Sequence, residues 1–213
     1  MGDYRAVIFD FGGVLTSSPV TAMRSYCERS GVPWEQIRVL LAGEEAAWSR
    51  WETNTISQDE FVREFEEEAR RAGVQIDGAS FLQAFFTGMA LRPEMVAVVR
   101  ALRRRGDLKI GCITNNTKSE RRRNPLFDEL FEVVVESSVV GMRKPDPRIY
   151  LHACALLGVQ PQQAIFLDDL GVNLKAARSL GMATIKVDET ASAIDELEGL
   201  LGFPLPRGET ATA

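Results

Sequence analysis

Histidine is almost absent: His152 is the only one in 213 residues. It falls in a helical pattern beside Leu151, Ala155 and Leu156 and reads as a surface or partly buried residue outside the chemistry. Cysteine is scarce as well. Cys27, Cys112 and Cys154 are odd in number and lack metal-like spacing, so free thiols in a reducing cytoplasm are the natural reading. No apolar run is long enough to cross a bilayer, and Met1 to Arg5 carry no signal-peptide pattern. There is no internal repeat and no low-complexity segment. A long basic tract is also missing from a chain of net charge -5, which argues against a nucleic-acid partner. Arg103-Arg104-Arg105 and Arg121-Arg122-Arg123 read as solvated faces, the first at a helix end where cations favour the macrodipole. The expectation is a soluble, cytoplasmic protein, monomer or dimer, acting on a small molecule.

Hydrophobic residues at 45% leave ample material for a core. The stretch that organises the rest is Arg5-Ala6-Val7-Ile8-Phe9-Asp10-Phe11-Gly12-Gly13-Val14-Leu15. A short apolar run that ends in a carboxylate and two glycines reads as a buried parallel strand and a sharp turn. An Asp at the carboxyl end of such a strand lies where open α/β sheets bind their ligands. Gly12-Gly13 is not followed by the G-x-G-x-x-G turn and helix, which argues against a dinucleotide enzyme.

Between Pro19 and Gly88 no strand signal stands out. Helical patterns run over 20–30, 33–41, 44–52, 57–72 and 79–87, the fourth opened by a capping box, Ser57-Gln58-Asp59-Glu60. The pattern then changes. Buried strands at 108–114, 131–136, 164–168 and 183–187 alternate with helical patterns at 93–105, 147–157, 170–180 and 191–201. Such alternation signals βαβ units and a parallel sheet. The expected fold is α/β: a Rossmann-like parallel sheet core (residues 1–18 and 89–213) with an inserted all-helical cap subdomain (residues 19–88). The end of the tail after Phe203 reads as disordered.

Polar residues gather at the strand ends. The first strand delivers Asp10, and the second delivers Thr114, Asn115 and Asn116. The fourth delivers Asp168 and Asp169, with Asn173 just beyond. Lys144 lies between the third and fourth strands, held extended by Pro145. Singly, each has an ordinary reading: Asp168-Asp169 as a helix N-cap pair, Lys144 as a surface lysine. Together at one sheet edge they read differently. Three close carboxylates repel unless a hard cation such as Mg²⁺ sits among them. A lysine and a threonine hydroxyl beside that cation make a receptacle for a phosphate dianion. An Asp is then left to attack phosphorus.

These pieces resemble the haloacid dehalogenase superfamily: Phe9-Asp10-Phe11-Gly12-Gly13-Val14, Ile113-Thr114-Asn115-Asn116, Gly141-Met142-Arg143-Lys144-Pro145-Asp146-Pro147-Arg148-Ile149-Tyr150 and Phe166-Leu167-Asp168-Asp169. They fall in the family's order across nearly the whole chain. The third and fourth are most similar to the phosphatase domain of soluble epoxide hydrolases and to small sugar-phosphate phosphatases. The resemblance implies Asp10 as nucleophile, with Thr114, Asn115 and Lys144 at the phosphoryl group. It also implies Mg²⁺ held by Asp10, the backbone carbonyl of Gly12 and Asp169, supported by Asp168 and Asn173. The expected activity is a Mg²⁺-dependent phosphatase that acts on a small phosphorylated metabolite through an aspartyl-phosphate. A non-catalytic phosphate-binding protein is the alternative. A dehalogenase is disfavoured, because its pattern would lack the Asp168-Asp169 pair and would have an aromatic residue where Gly12 stands.

One residue departs from that pattern. Phosphatases of this family usually read Asp-x-Asp, the second Asp protonating the leaving group; here that position is Gly12. General acid help is typically worth ~10²–10⁴-fold, so aryl, acyl and anomeric sugar phosphates are expected to outrun alkyl esters unless a cap residue such as Glu44 or Glu45 donates the proton. Trp34, Trp48 and Trp51 all fall in the helical segment and read as core packing, the last two spaced so that they could face the cleft.

Overall fold

The computed structural model describes residues 3–43, 45–118 and 124–207. Arg121-Arg122-Arg123, Glu44, the first two residues and the tail beyond Arg207 lie outside the described residues. Five parallel strands form one sheet: β1 (Ala6–Phe9), β2 (Lys109–Thr114), β3 (Val133–Glu136), β4 (Ala164–Asp168) and β5 (Ala183–Lys186), in the order β3-β2-β1-β4-β5. This is a Rossmann-like α/β fold. The strand order reverses between β1 and β4, and ligands of open α/β sheets bind at that crevice beyond the carboxyl ends. Phe9 is in register with both Cys112 and Leu167, so Asp10 emerges level with the ends of its two neighbours.

Helices α6 (Pro93–Arg105) and α11 (Thr190–Leu201) cover one face of the sheet, over Val7, Phe9, Ile110 and Leu167. Helices α9 (Pro147–Leu157) and α10 (Gly171–Ser179) cover the other, over Ala6, Ile8, Ile113 and Phe166. The period-2 alternation along β1 assigns each side chain to its face. All four β1 residues are buried, which is why the strand reads as an unbroken apolar run. The short helices α7 (Pro125–Leu130) and α8 (Ser137–Val140) were not visible as apolar periodicity. Each has six residues or fewer, and α7 is announced only by its Asn124 cap, whose Oδ1 accepts from Leu126 N–H at 3.1 Å.

Between β1 and β2, before α6, come α1 (Pro19–Ser30), α2 (Trp34–Ala42), α3 (Ala47–Glu52), α4 (Gln58–Arg71) and α5 (Gly78–Thr87). They pack around a separate cluster that includes Ile37, Trp48, Trp51, Phe61, Phe65 and Phe81. Trp51 stacks on Phe61 at 4.5 Å, and Trp48 meets Phe61, Phe81 and Phe85 edge to face. The capping box forms at α4: Ser57 Oγ accepts from Glu60 N–H at 3.2 Å, and Glu60 Oε2 accepts from Ser57 N–H at 2.8 Å. Helix α3 starts at Ala47, later than its apolar pattern suggests, and Glu68 of α4 accepts from Ala47 N–H at 2.9 Å. The two chain crossings into this bundle run side by side, with Ser17 N–H donating to Ala90 O and Arg92 N–H to Leu15 O. Among the described residues no helix is long and apolar enough to cross a membrane.

Candidate active site

Lys144 is the centre of the site. Its ammonium lies 2.7 Å from Asp10 Oδ1 and 2.8 Å from Asp168 Oδ2, with only 1% of the side chain exposed. A buried cation between two carboxylates is tolerable only while both partners remain, since either charge alone would be uncompensated. Other groups hold the trio in place. Phe11 N–H donates to Asp10 Oδ1 at 2.6 Å, and Leu170 N–H donates to Asp168 Oδ1 at 2.8 Å. The Asn173 side-chain amide donates to both Asp168 oxygens, at 3.0 and 3.1 Å, and the Asn173 main-chain carbonyl accepts from Tyr150 O–H at 3.0 Å. Asp168 is wholly buried and outside the cleft lining, whereas Asp10 and Asp169 line the cleft. One oxygen from each of these three carboxylates lies within 4.8 Å of the others.

The other residues singled out in the sequence fall at the same edge. Thr114, at the end of β2, is buried and lines the cleft, as do Gly12 and Asn115. The Asn115 side chain is engaged with the main chain of Lys144: its Nδ2 donates to Lys144 O at 3.0 Å and its Oδ1 accepts from Lys144 N–H at 2.8 Å. This clamp brings the loop after α8 against β2. Glu45 is exposed and does not line the cleft.

The two glycines of the opening motif differ. Gly13 has φ +85, and a Cβ there would overlap the Asp169 carboxylate. At Gly12 a Cβ would meet only the Pro19 ring, at 3.5 Å, an ordinary contact. Gly13→Ala should therefore cost about 1–3 kcal/mol of stability through backbone strain and a displaced Asp169, while Gly12→Ala should be nearly neutral. Urea unfolding of the two variants checks this, and equal losses would contradict the geometry.

Several contacts come from the helical bundle or the chain leading into it, and the sequence did not single them out. Ser18 O–H, just before α1, donates to Asp169 Oδ2 at 2.7 Å. Glu52, at the end of α3, accepts from Arg143 Nε at 2.7 Å, and Ser49 Oγ accepts from Arg143 Nη1 at 2.8 Å. The Glu52 main-chain carbonyl accepts from Ser137 O–H at 2.7 Å. Arg143 stands beside Lys144 in the quoted motif, and that adjacency was the available signal. Glu52 carried none. Trp48 and Trp51 are both buried in the bundle core, and Trp48 also reaches the cleft wall.

Burial shifts the site's proton affinities. It raises Asp10 well above the ordinary carboxylate range, aided by Asp168 and Asp169 and opposed by Lys144. Asp169 is raised chiefly by burial, with repulsion from Asp168. In Glu52 burial outweighs the attraction of Arg143, so it too is raised. For Lys144 burial acts downward, but Asp10 and Asp168 more than offset it and the ammonium is held charged.

Comparison with known proteins gives a consistent picture. A family model described as haloacid dehalogenase-like hydrolase matches residues 4–181. Acyl-CoA dehydrogenase family member 10 of Mus musculus is 40% identical over 212 residues, which are 96% of this chain and 20% of that protein. The chain thus spans about a fifth of that relative's length. Phosphatase MT3486 of Mycobacterium tuberculosis is 32% identical over 210 residues, 89% of this chain and 90% of the relative. A HAD family enzyme of Bacteroides thetaiotaomicron, solved in complex with magnesium and inorganic phosphate, superposes with a TM-score of 0.60 at 19% identity, over 87% of this chain and 96% of that one.

Proposed function

The chain belongs to the haloacid dehalogenase-like hydrolase family, and from that premise we propose that it is a Mg²⁺-dependent phosphatase with Asp10 as the phosphoryl acceptor. The observation that carries the reading is the division of labour among three carboxylates. Asp168 is buried and holds Lys144, while Asp10 and Asp169 face a cleft beside that lysine. Kinship with a mycobacterial phosphatase of nearly the same length supports it. So does the shared fold of an enzyme that binds magnesium and phosphate.

The donor set fits the cation. Asp10, Asp169 and the Gly12 carbonyl supply hard oxygens, and the lack of a side chain at Gly13 gives the Asp169 carboxylate its space. When bound, Mg²⁺ would offset the crowded negative charge of these carboxylates and of the phosphoryl oxygens. The protein's own groups do the rest. Lys144 and Thr114 orient the phosphoryl group, and Asn115 acts by fixing the Lys144 main chain. An Asp10 oxygen forms a bond to phosphorus while the bond to the leaving oxygen breaks, its electron pair departing with that oxygen. Water then attacks the aspartyl-phosphate, which releases inorganic phosphate and restores Asp10. Helices α1–α5, residues 19–88, serve as a cap on a core of residues 1–18 and 89–213. The cap's own hydrophobic cluster and its Glu52–Arg143 and Ser49–Arg143 contacts support this division.

Purified protein and a panel of phosphate esters, with and without Mg²⁺, test the reading. Turnover should require Mg²⁺ and vanish in excess chelator; activity undiminished in chelator would contradict it. Stability gives a second readout. The folded protein holds the protons of Asp10, Asp169 and Glu52 to higher pH than the unfolded chain does. Without metal, stability should therefore fall as pH rises from about 4 through these raised values. The gain in Tm on adding Mg²⁺ should be larger at about pH 7 than at about pH 5, because protons compete for the same oxygens. A gain independent of pH would count against the carboxylate site.

Gly12 sets the reactivity. With no acid at that position, kcat/KM should depend steeply on leaving-group acidity. Gly12→Asp should flatten that dependence by raising alkyl ester hydrolysis about 10²-fold or more, since a Cβ at Gly12 makes only an ordinary contact with the Pro19 ring. A flat series in the wild type would mean that another group supplies the proton. Phosphate binding with no turnover of any ester would favour a non-catalytic role.

A further inference from the structure

The cleft beside Asp10 has a volume of about 920 Å³, far more than a phosphoryl group fills, so most of it is room for the leaving group. Its bundle side is largely apolar, with Val20, Met23, Leu41, Phe85 and Phe86, continued by Met89 just beyond α5; Glu52, the carboxylate on that side, is paired with Arg143. Apolar character continues to the mouth, where Phe86 is 41% exposed, Leu170 40% and Val139 75%. The polar side chains of the lining are largely paired with one another. Asn116 Nδ2 donates to Glu136 Oε2 at 2.6 Å, and its Oδ1 accepts from Ser138 O–H at 2.9 Å. Arg143 is held by Glu52 and Ser49, and Asn124 Oδ1 caps α7. Lys118 stands exposed at the rim. A sugar would bring several hydroxyls into this space, and those lying on Met23, Phe85 and Phe86 would lose water without gaining a partner there.

Resting on the phosphatase reading, we propose that the leaving group is an apolar aromatic alcohol, so that the substrate is an aryl phosphate whose ring lies against Phe85 and Phe86. Two independent features converge on it. The apolar wall selects against sugars, and Gly12 selects against alkyl alcohols, which leave poorly without a proton. As the Asp10 oxygen bonds to phosphorus, the bond from phosphorus to the aryl oxygen breaks, and its electron pair stays on a phenolate that solvent later protonates.

The test is kcat/KM with Mg²⁺ for phenyl, 2-naphthyl and decyl phosphate, glucose 1-phosphate and acetyl phosphate. The naphthyl ester should exceed phenyl by about tenfold or more, on the usual gain from filling an apolar pocket. It should also lead decyl phosphate and glucose 1-phosphate. Phe86→Ser and, separately, Met89→Ser should bring the naphthyl-to-phenyl ratio toward one. Glucose 1-phosphate or decyl phosphate ahead of the naphthyl ester would overturn the inference, as would a ratio that neither variant moves. Failure to turn over any compound, acetyl phosphate included, would instead overturn the phosphatase reading beneath it.

Discussion

Asp10→Asn is expected to lower turnover of every phosphate ester by on the order of 10⁴-fold or more, the scale seen when a nucleophile is removed from a covalent mechanism. The reason is local. The amide keeps the shape of the carboxylate and an oxygen that can accept from Phe11 N–H and Lys144, but that oxygen is too weak a nucleophile to attack phosphorus. Phosphate binding should survive, since Thr114 and Lys144 are untouched. Beryllium fluoride, which mimics an aspartyl-phosphate, should bind the wild type and not the variant. Single-turnover assays together with phosphate titration separate these outcomes. A variant that kept most of the wild-type rate would show that another residue attacks phosphorus.

Lys144→Met should have the second-largest effect, on stability as well as rate. The lysine is buried between Asp10 and Asp168. Its removal leaves two largely buried carboxylates facing each other without their counter-charge, a loss of about 3–5 kcal/mol by analogy with other broken buried pairs. Without the ammonium, Asp10, already raised by burial and held down by Lys144, binds its proton still more tightly in the folded state than in the unfolded chain. Folding of the variant should then be favoured as pH falls, and its deficit relative to wild type should narrow from about pH 7 to about pH 5. Urea unfolding at the two pH values reads this directly. A deficit under about 1 kcal/mol at neutral pH, on the scale of an exposed pair, would mean that the lysine is not the site's electrostatic keystone.

What could be read from the chain follows from where the information lies. The sheet was legible because its central strands β1, β2 and β4 are buried on both faces and so appear as apolar runs, with a carboxylate closing the runs at Asp10 and Asp168. The bundle helices were legible from periodicity and from the Ser57–Glu60 box, which is a local signal. Their starts were less so. The first turn of α3 relies on Glu68, 21 residues away, and no local pattern reports that. The same limit applies at the site. Asp10, Thr114, Lys144 and Asp169 were visible because each ends or follows an apolar strand or sits in a proline-marked loop. Glu52 reaches the site only through the packing of the helical segment against the sheet, and Ser18 through the course of the chain between β1 and α1. The Asn115 clamp on Lys144 was likewise hidden, because an amide in a strand-end motif gives no indication of which main chain it will meet.

The central claim is that Asp10 becomes phosphorylated during turnover, and its most direct test is acid quenching followed by peptide mass spectrometry. Gly12 makes the measurement favourable. The acid missing from the first step would also have been the base that activates water in the second, so the intermediate should break down slowly and accumulate. Protein quenched during turnover of acetyl phosphate with Mg²⁺ should carry a phosphoryl group on the peptide containing Asp10, and Asp10→Asn should carry none. Steady hydrolysis with that peptide unmodified, or with the phosphoryl group on another residue, would contradict the account.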